Sequence, residues 1–171
     1  MSEKFVKVGS TGLLTEQAAI TQSTGAAEAN KIPATGADGR LHESFMPVGV
    51  GIPTKVIAAS EALTAPCLVN IHNSTGQKVR YADSATAAAG RAAHGFILQS
   101  VASGANATVY FEGEISGLTG LTPGAPLFLG ATNGALTPTP PTTAGHCLQV
   151  VGVATSPTTA DFEKAAPIIR G

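Results

Sequence analysis

The sequence predicts an all-β protein: a small β-barrel or β-tulip-like body built from an internally duplicated unit, preceded by an extended N-terminal arm. Three observations point there. The first is a stretch that occurs twice. Residues 66–113 begin PCLVNIHNSTGQKVRYADS and continue through AHGFILQSVASGANATVYFEG; residues 123–164 run PGAPLFLGATNGALTPTP and then TAGHCLQVVGVATSPTTADFEK. Gly76 and Gly95 stand 19 apart in the first copy, Gly134 and Gly152 stand 18 apart in the second. Each copy reads as an apolar strand, a glycine turn, a polar strand and a small-residue loop. An apolar strand through glycine follows, then a turn and a strand holding an aromatic (Tyr110 and Phe111, or Phe162). A fixed internal period implies one structural unit used twice. The second observation is composition: 20 Gly, 11 Pro and only 12% charged residues in 171, against roughly 25% charged in an average soluble domain. The third is a succession of short runs rich in Val, Ile, Leu, Phe and Thr, punctuated by turn residues.

Taken in order, the chain divides near Gly49–Pro53, giving an arm and linker over 1–50 and a β-rich domain over 51–171. Residues 1–50 lack sustained periodicity, with at most a short helix around Thr15–Gln22. KIPATGADGRL and ESFMPVGVGIP repeat Gly and Pro every few residues, which favours extended and turn structure over a packed core. A disordered tail is the simpler reading. The alternative is an arm ordered by an assembly, because its apolar residues, among them Phe5, Val6, Val8, Leu13 and Leu14, are spaced as if to fill separate pockets.

The remainder reads as strands at Lys55–Ala58, Leu68–His72, Lys78–Ala82, Gly95–Val101, Thr108–Glu114, Leu127–Leu129, Leu148–Ala154 and Ala160–Lys164. Asn133-Gly134 is a tight-hairpin pair, since both residues tolerate positive φ. Thr122-Pro123-Gly124-Ala125 suits a type II turn. Ser84–Ala93 is either a short helix, favoured by alanine, or a broad loop, favoured by Gly90. Its counterpart TPTPPTT at 137–143 cannot be a helix interior. The expected core is Leu68, Val69, Ile71, Phe96, Leu98, Val109, Phe111, Leu127, Leu129, Leu148, Val150, Val153 and Phe162, on the alternation rule for one-sided strands.

The formal charge is −1 and no basic run exists, so the phosphate neutralisation that nucleic-acid binding requires is not expected. No apolar run approaches the roughly 20 residues that span a bilayer, and MSEKFVKVGS lacks the apolar stretch of a secretion leader. No membrane association is expected. Cys67 and Cys147 each open a strand and each precede Leu. Two small buried hydrophobes is the simplest reading; a disulfide between the copies is the alternative. His146 adjoins Cys147 without the spacing of a zinc site. His42, His72, His94 and His146 share no metal-ligand spacing with one another. Asp83 and Ser84 near His94 lack the nucleophile-elbow context of a hydrolase. Glu112 and Glu114, two apart on one predicted strand, face one side as a glycosidase pair would, but a solvated strand face needs no chemistry. GLTGLT at 117–122 lacks the Lys-Ser/Thr of a phosphate loop. No catalytic, metal or cofactor site is expected.

The segment ALTAPCLVNIHNSTGQKVRYADSATAAAGRAAHGFILQSVASGANATVYFEGEISG resembles the core of lambda-type phage head decoration proteins, which share an L-T-A-P-L opening, a polar strand ending near A-D, an A-x-G-I-L segment and a strand ending in an aromatic before x-x-G. GLTPGAPLFLGATNGALTPTPPTTAGHCLQVVGVATSPTTADF is similar to capsid cement and head-fibre domains of tailed phages, and KIPATGADGRLHESFMP resembles the linker before such domains. The resemblance covers about residues 30–165. It departs from the lambda-type pattern in its second copy and its 50-residue arm. It implies a non-enzymatic virion structural protein, assembled in the host cytoplasm. Such a protein is a homotrimer on the outer capsid surface, binds the major capsid protein and stabilises the expanded head. The arm then contacts the capsid through Phe5, Val6, Val8, Leu13 and Leu14. A head-fibre or tail-fibre attachment module with host-glycan binding is the alternative, weakened by the absence of Trp. A small hydrolase is a third reading, weakened by the lack of a triad.

Overall fold

The computed structural model describes residues 3–37, 39–46, 51–85 and 90–171. The chain forms two compact units, Met1–Gly51 and Ile52–Gly171. Strands dominate both, and among the described residues no α-helix occurs.

The first unit is built on a hairpin. Strands β1 (Lys4–Val8) and β2 (Leu14–Ala18) pair antiparallel, with Phe5 opposite Gln17 and Val8 opposite Leu14. Between them the Gly9 N–H donates to the Leu13 carbonyl at 2.7 Å and the Gly12 N–H donates to the Gly9 carbonyl at 3.0 Å. The helix expected around Thr15–Gln22 is therefore a strand. GSTG is a turn signal, and the β-branched Val6, Val8 and Thr15 suit a pleated ladder better than a helix. Beyond the hairpin the chain crosses itself. The Ile20 N–H donates to the Ile32 carbonyl (3.0 Å), and the Ile20 carbonyl accepts from the Ala34 N–H (2.8 Å). Single 3-10 turns lie at Ala26–Glu28 and Glu43–Phe45. No described residue of this unit is buried.

The second unit holds two five-stranded antiparallel sheets. The first contains β3 (Thr54–Ala58), β4 (Cys67–Asn73), β5 (Gln77–Tyr81), β6 (Gly95–Ile97) and β7 (Asn106–Tyr110). The second contains β8 (Gly113–Ser116), β9 (Pro126–Leu129), β10 (Leu136–Thr137), β12 (Val150–Ala154) and β13 (Thr159–Phe162). A separate pair joins β11 (Cys147–Leu148) to β14 (Ile168–Ile169). The sheets have one strand order: β5-β4-β6-β7-β3 in the first and β10-β9-β12-β13-β8 in the second. In the first sheet the edges β3 and β5 approach at a single parallel bridge, Ala59 with Val79. Among the described residues no ladder joins them.

Two cores follow from this layering. Leu68 and Phe96 of the first sheet pack with Ile115, Leu127, Leu129, Val151, Ala160 and Phe162 of the second. Phe96 is its centre, stacked on Tyr110 (ring centroids 5.3 Å) and tilted against Phe162 (5.2 Å). On the other face of the first sheet, Ile57, Val69, Val79, Ile97 and Val109 gather around Leu63 and Cys67. Around Leu68 and Phe96 the first sheet is thus buried on both faces, while His72, Lys78 and Arg80 at its far end are only half-buried; the second sheet is buried on one face.

Several expectations are corrected. The single strand expected over Thr108–Glu114 is two strands in different sheets, β7 and β8. The chain changes sheet at Gly113, whose φ of 107° is open to glycine and costly for other residues. Leu148–Ala154 likewise divides into β11 and β12. Gly95–Val101 ends as a ladder at Ile97, and Val101 forms only a bridge to Leu63. Of the expected core, Leu68, Val69, Phe96, Val109, Leu127, Leu129 and Phe162 are buried, while Ile71, Leu98, Phe111, Leu148 and Val150 are half-buried. Val153 is exposed, and the residues that turn inward nearby are Cys147, Gln149 and Val151. The register slips between Val150 and Gly152, and one extra residue in a strand sends its neighbours to the opposite face. The helix-or-loop question over 84–93 falls on residues 86–89, which lie outside the described residues, as do Gly49 and Val50 of the expected division near 49–53.

Candidate functional surface

The sequence-predicted contact residues lie on the hairpin. Val6 and Val8 alternate on one face of β1, and Leu14 stands directly opposite Val8 on β2. Leu13 closes the turn end. Exposures of 65% for Val6, 67% for Val8, 70% for Leu13 and 73% for Leu14 leave this apolar end in solvent. Phe5 differs: it is half-buried and opposite Gln17, on the other face. Lys4 pairs with Glu16 at 2.7 Å beside Val6. Charge at the open end of the strands and apolar residues at the turn end make the hairpin amphipathic along its length. A lone two-stranded hairpin is marginal in water; this one is part of the compact unit Met1–Gly51.

The groups weighed for chemistry are not assembled for it. Asp83 accepts the Ala85 N–H at 2.7 Å on Oδ1. Ser84 is fully buried, with its main chain tied to Gly130 and Cys147. His94 turns instead to β4, where its Nδ1 accepts the Ile71 N–H at 3.0 Å. Glu112 lies between β7 and β8 rather than on one strand with Glu114, because Gly113 turns the chain between them. Both are exposed. Cys67 and Cys147 are buried free thiols, so the alternative of a disulfide is not realised. Burial, with Glu61 nearby, pushes the Cys67 thiol up to about 12, which removes its thiolate at neutral pH. Among the described residues no group of three His, Cys, Asp or Glu could hold a metal.

Three polar features were not singled out by the sequence. Ser60 Oγ lies 2.9 Å from His72 Nε2, but the same hydroxyl donates to the Val79 carbonyl at 3.2 Å. The hydroxyl thus bridges the His72 ring and the Val79 main chain at a strand edge. Asn70 is fully buried. Its Nδ2 donates to the Ala92 carbonyl (2.8 Å), and its Oδ1 accepts from Arg80 Nε (3.1 Å). Gln149 is buried too and holds both main-chain groups of Ala93. The available signal was a lone amide inside an apolar run, LVNI and CLQVV.

His94 gives a pH prediction. Burial, then the Lys164 cation, lowers its pKa from the ordinary value of 6.5. The folded protein holds it neutral, as the accepted Ile71 N–H requires. The unfolded chain takes up the proton first as pH falls, so stability is full above about pH 6.5 and declines below it. Urea unfolding at pH 7.5 and 5.5 should show a loss on acidification, and His94→Gln, which keeps an acceptor without the titration, should reduce it. Higher stability at pH 5.5 would contradict the neutral assignment.

No protein-family model matches the chain, nor does any curated protein or solved structure.

Proposed function

We propose that this chain is a virion structural protein that binds the outer surface of a phage capsid as a homotrimer and stabilises the expanded head. The observation that carries this reading is the contrast between the two units. The body has two buried cores. The N-terminal unit has no buried described residue, yet presents Val6, Val8, Leu13 and Leu14 to solvent. A segment that cannot bury its own apolar side chains gains order by burying them on a partner, and a ligand that binds only the expanded shell stabilises it by mass action. The major capsid protein is that partner in this reading, with the N-terminal unit as its contact and the body as the decoration. The common strand order of the two sheets, together with the repeated sequence, supports reading the body as one duplicated unit.

The test is binding to expanded heads. Deleting residues 1–50 should leave the body folded by circular dichroism and abolish decoration. The double variant Val8→Ser and Leu14→Ser should weaken binding on the order of 100-fold, since burying one such side chain contributes about 1.5–3 kcal/mol. The exposed Gln22→Ala serves as the neutral comparison. Wild-type decoration by the truncated protein would place the grip in the body and remove the argument for the arm.

A further inference from the structure

Residues 52–171 carry six acidic side chains and six Lys or Arg, and the fold gathers four of the acids on one surface and three of the cations on another. On the outer face of the second sheet, Asp161 of β13 stands directly opposite Glu114 of β8. Like charges at opposed positions weaken a strand pair, and among the described residues neither carboxylate forms an ion pair. Glu112 and Glu163 flank them, and all four are exposed. Beside this cluster runs a shallow cleft with Val150, Gly152 and Val153 in its floor and Asp161, Glu163 and Lys164 at its rim.

The first sheet carries the opposite charge. The β4–β5 register places Arg80 opposite Asn70 and Lys78 opposite His72, all on one face. Arg91 adds a third permanent cation; burial first and then Arg91 lower the pKa of Arg80, and burial first, then Arg80 and Arg91, lower that of His72. Arg80 is held in place by Asn70 Oδ1 and the Gly90 carbonyl. The acid beside this patch, Glu61, is engaged by the Tyr81 N–H at 2.9 Å. The corresponding face of the two sheets is also treated differently within the chain. Leu68 and Phe96 of the first sheet are covered by the second, whereas Val153 of the second, one residue past Gly152 as Phe96 is one past Gly95, is 44% exposed.

We propose that the outer face of the second sheet docks a second copy of this chain, receiving that copy's β4–β5 face so that Glu114, Asp161 and Glu163 meet Lys78, Arg80 and Arg91. The acidic patch lies on the second sheet and the basic patch on the first, and the proposed contact is head-to-tail: each copy uses one patch on each side. Such a contact closes a ring or runs on as a chain, and does not make a two-fold dimer. This deepens the trimer of the proposed function and rests on that reading only for the number three.

Light scattering on the full-length protein tests it. At about 50 mM salt the protein should be an oligomer of three or more copies, and it should shrink at about 1 M, where screening is within a few ångströms. The reversals Glu114→Lys with Asp161→Lys, and separately Lys78→Glu with Arg91→Glu, should each give a folded monomer, raising the dissociation constant on the order of 100-fold or more. All four changes together swap the patches and should restore association. A wild-type monomer or dimer, reversals that leave the size unchanged, or a folded fourfold variant that stays monomeric would each overturn the contact. Decoration is read separately: a wild-type monomer that still binds expanded heads overturns this contact and the trimer but leaves decoration standing, and an oligomer that ignores heads overturns the decoration reading alone.

Discussion

Gln149→Leu should destabilise the body by about 3–5 kcal/mol, the largest loss expected from one side chain of unchanged size. Gln149 is 2% exposed. Its Oε1 accepts the Ala93 N–H at 2.8 Å. Its Nε2 donates to the Ala93 carbonyl at 3.0 Å and to the Ala165 carbonyl at 3.1 Å. One side chain thus joins the segment entering β6 of the first sheet to the segment leaving β13 of the second. Leucine fills the space but offers neither donor nor acceptor. Ala93 is itself buried, so both its main-chain groups lose their partner away from water, at about 1–3 kcal/mol each. The Ala165 carbonyl, on an exposed residue, recovers a partner from solvent. The measurement is urea unfolding at pH 7.5, with the exposed Gln99→Leu as comparison. A loss below about 1 kcal/mol would mean that water reaches Ala93.

Gly152→Ala should cost roughly 3 kcal/mol or more, and Gly95→Ala should behave the same way in the first sheet. An added Cβ at Gly152 would overlap the Asp161 carbonyl oxygen and sit 3.2 Å from the Phe162 Cα. At Gly95 it would overlap the Tyr110 carbonyl oxygen. Both obstacles are main chain on the neighbouring strand, so no rotamer change relieves them. Gly152 also holds φ at 149°, which L side chains rarely adopt, and such strain contributes about 1–3 kcal/mol. Strands β12 and β13 would have to separate, which unpacks Phe162 from Phe96. Thermal unfolding of the two variants measures it. A neutral Gly152→Ala would mean the bulge between Val150 and Gly152 can flatten, and that the inward placement of Val151 is not fixed.

The repeated glycines were legible in the sequence because their spacing survives while the residues around them differ. Their role was not legible: Gly95 and Gly152 are points where a neighbouring strand's carbonyl comes too close for a side chain, whereas Gly76 takes the positive φ of a turn. The strand positions were legible for the same kind of reason. Short runs of β-branched and aromatic residues between Gly, Pro and Asn declare themselves locally, and Leu68, Phe96, Leu127 and Phe162 followed from alternation. The hairpin β1–β2 was not seen, since two five-residue runs in a polar context carry little periodic signal and the turn residues alone suggest a loop.

What the sequence by itself determined is local. The chain is β-rich, and its glycines sit at turns and close approaches. What only the tertiary structure decided is which face each strand buries and which sheet it joins. Val153 exchanges places with Val151 because one extra residue enters β12, and Thr108–Glu114 serves two sheets because the chain turns at Gly113. Asn70 and Gln149 become buried clamps because segments far away in sequence bring main-chain groups to them. The hairpin's Val6, Val8 and Leu14 remain exposed because the N-terminal unit packs no core beneath them. The physical reason is common to all of these: backbone conformation is set by neighbours in sequence, whereas burial is set by whatever surface arrives from elsewhere in the chain.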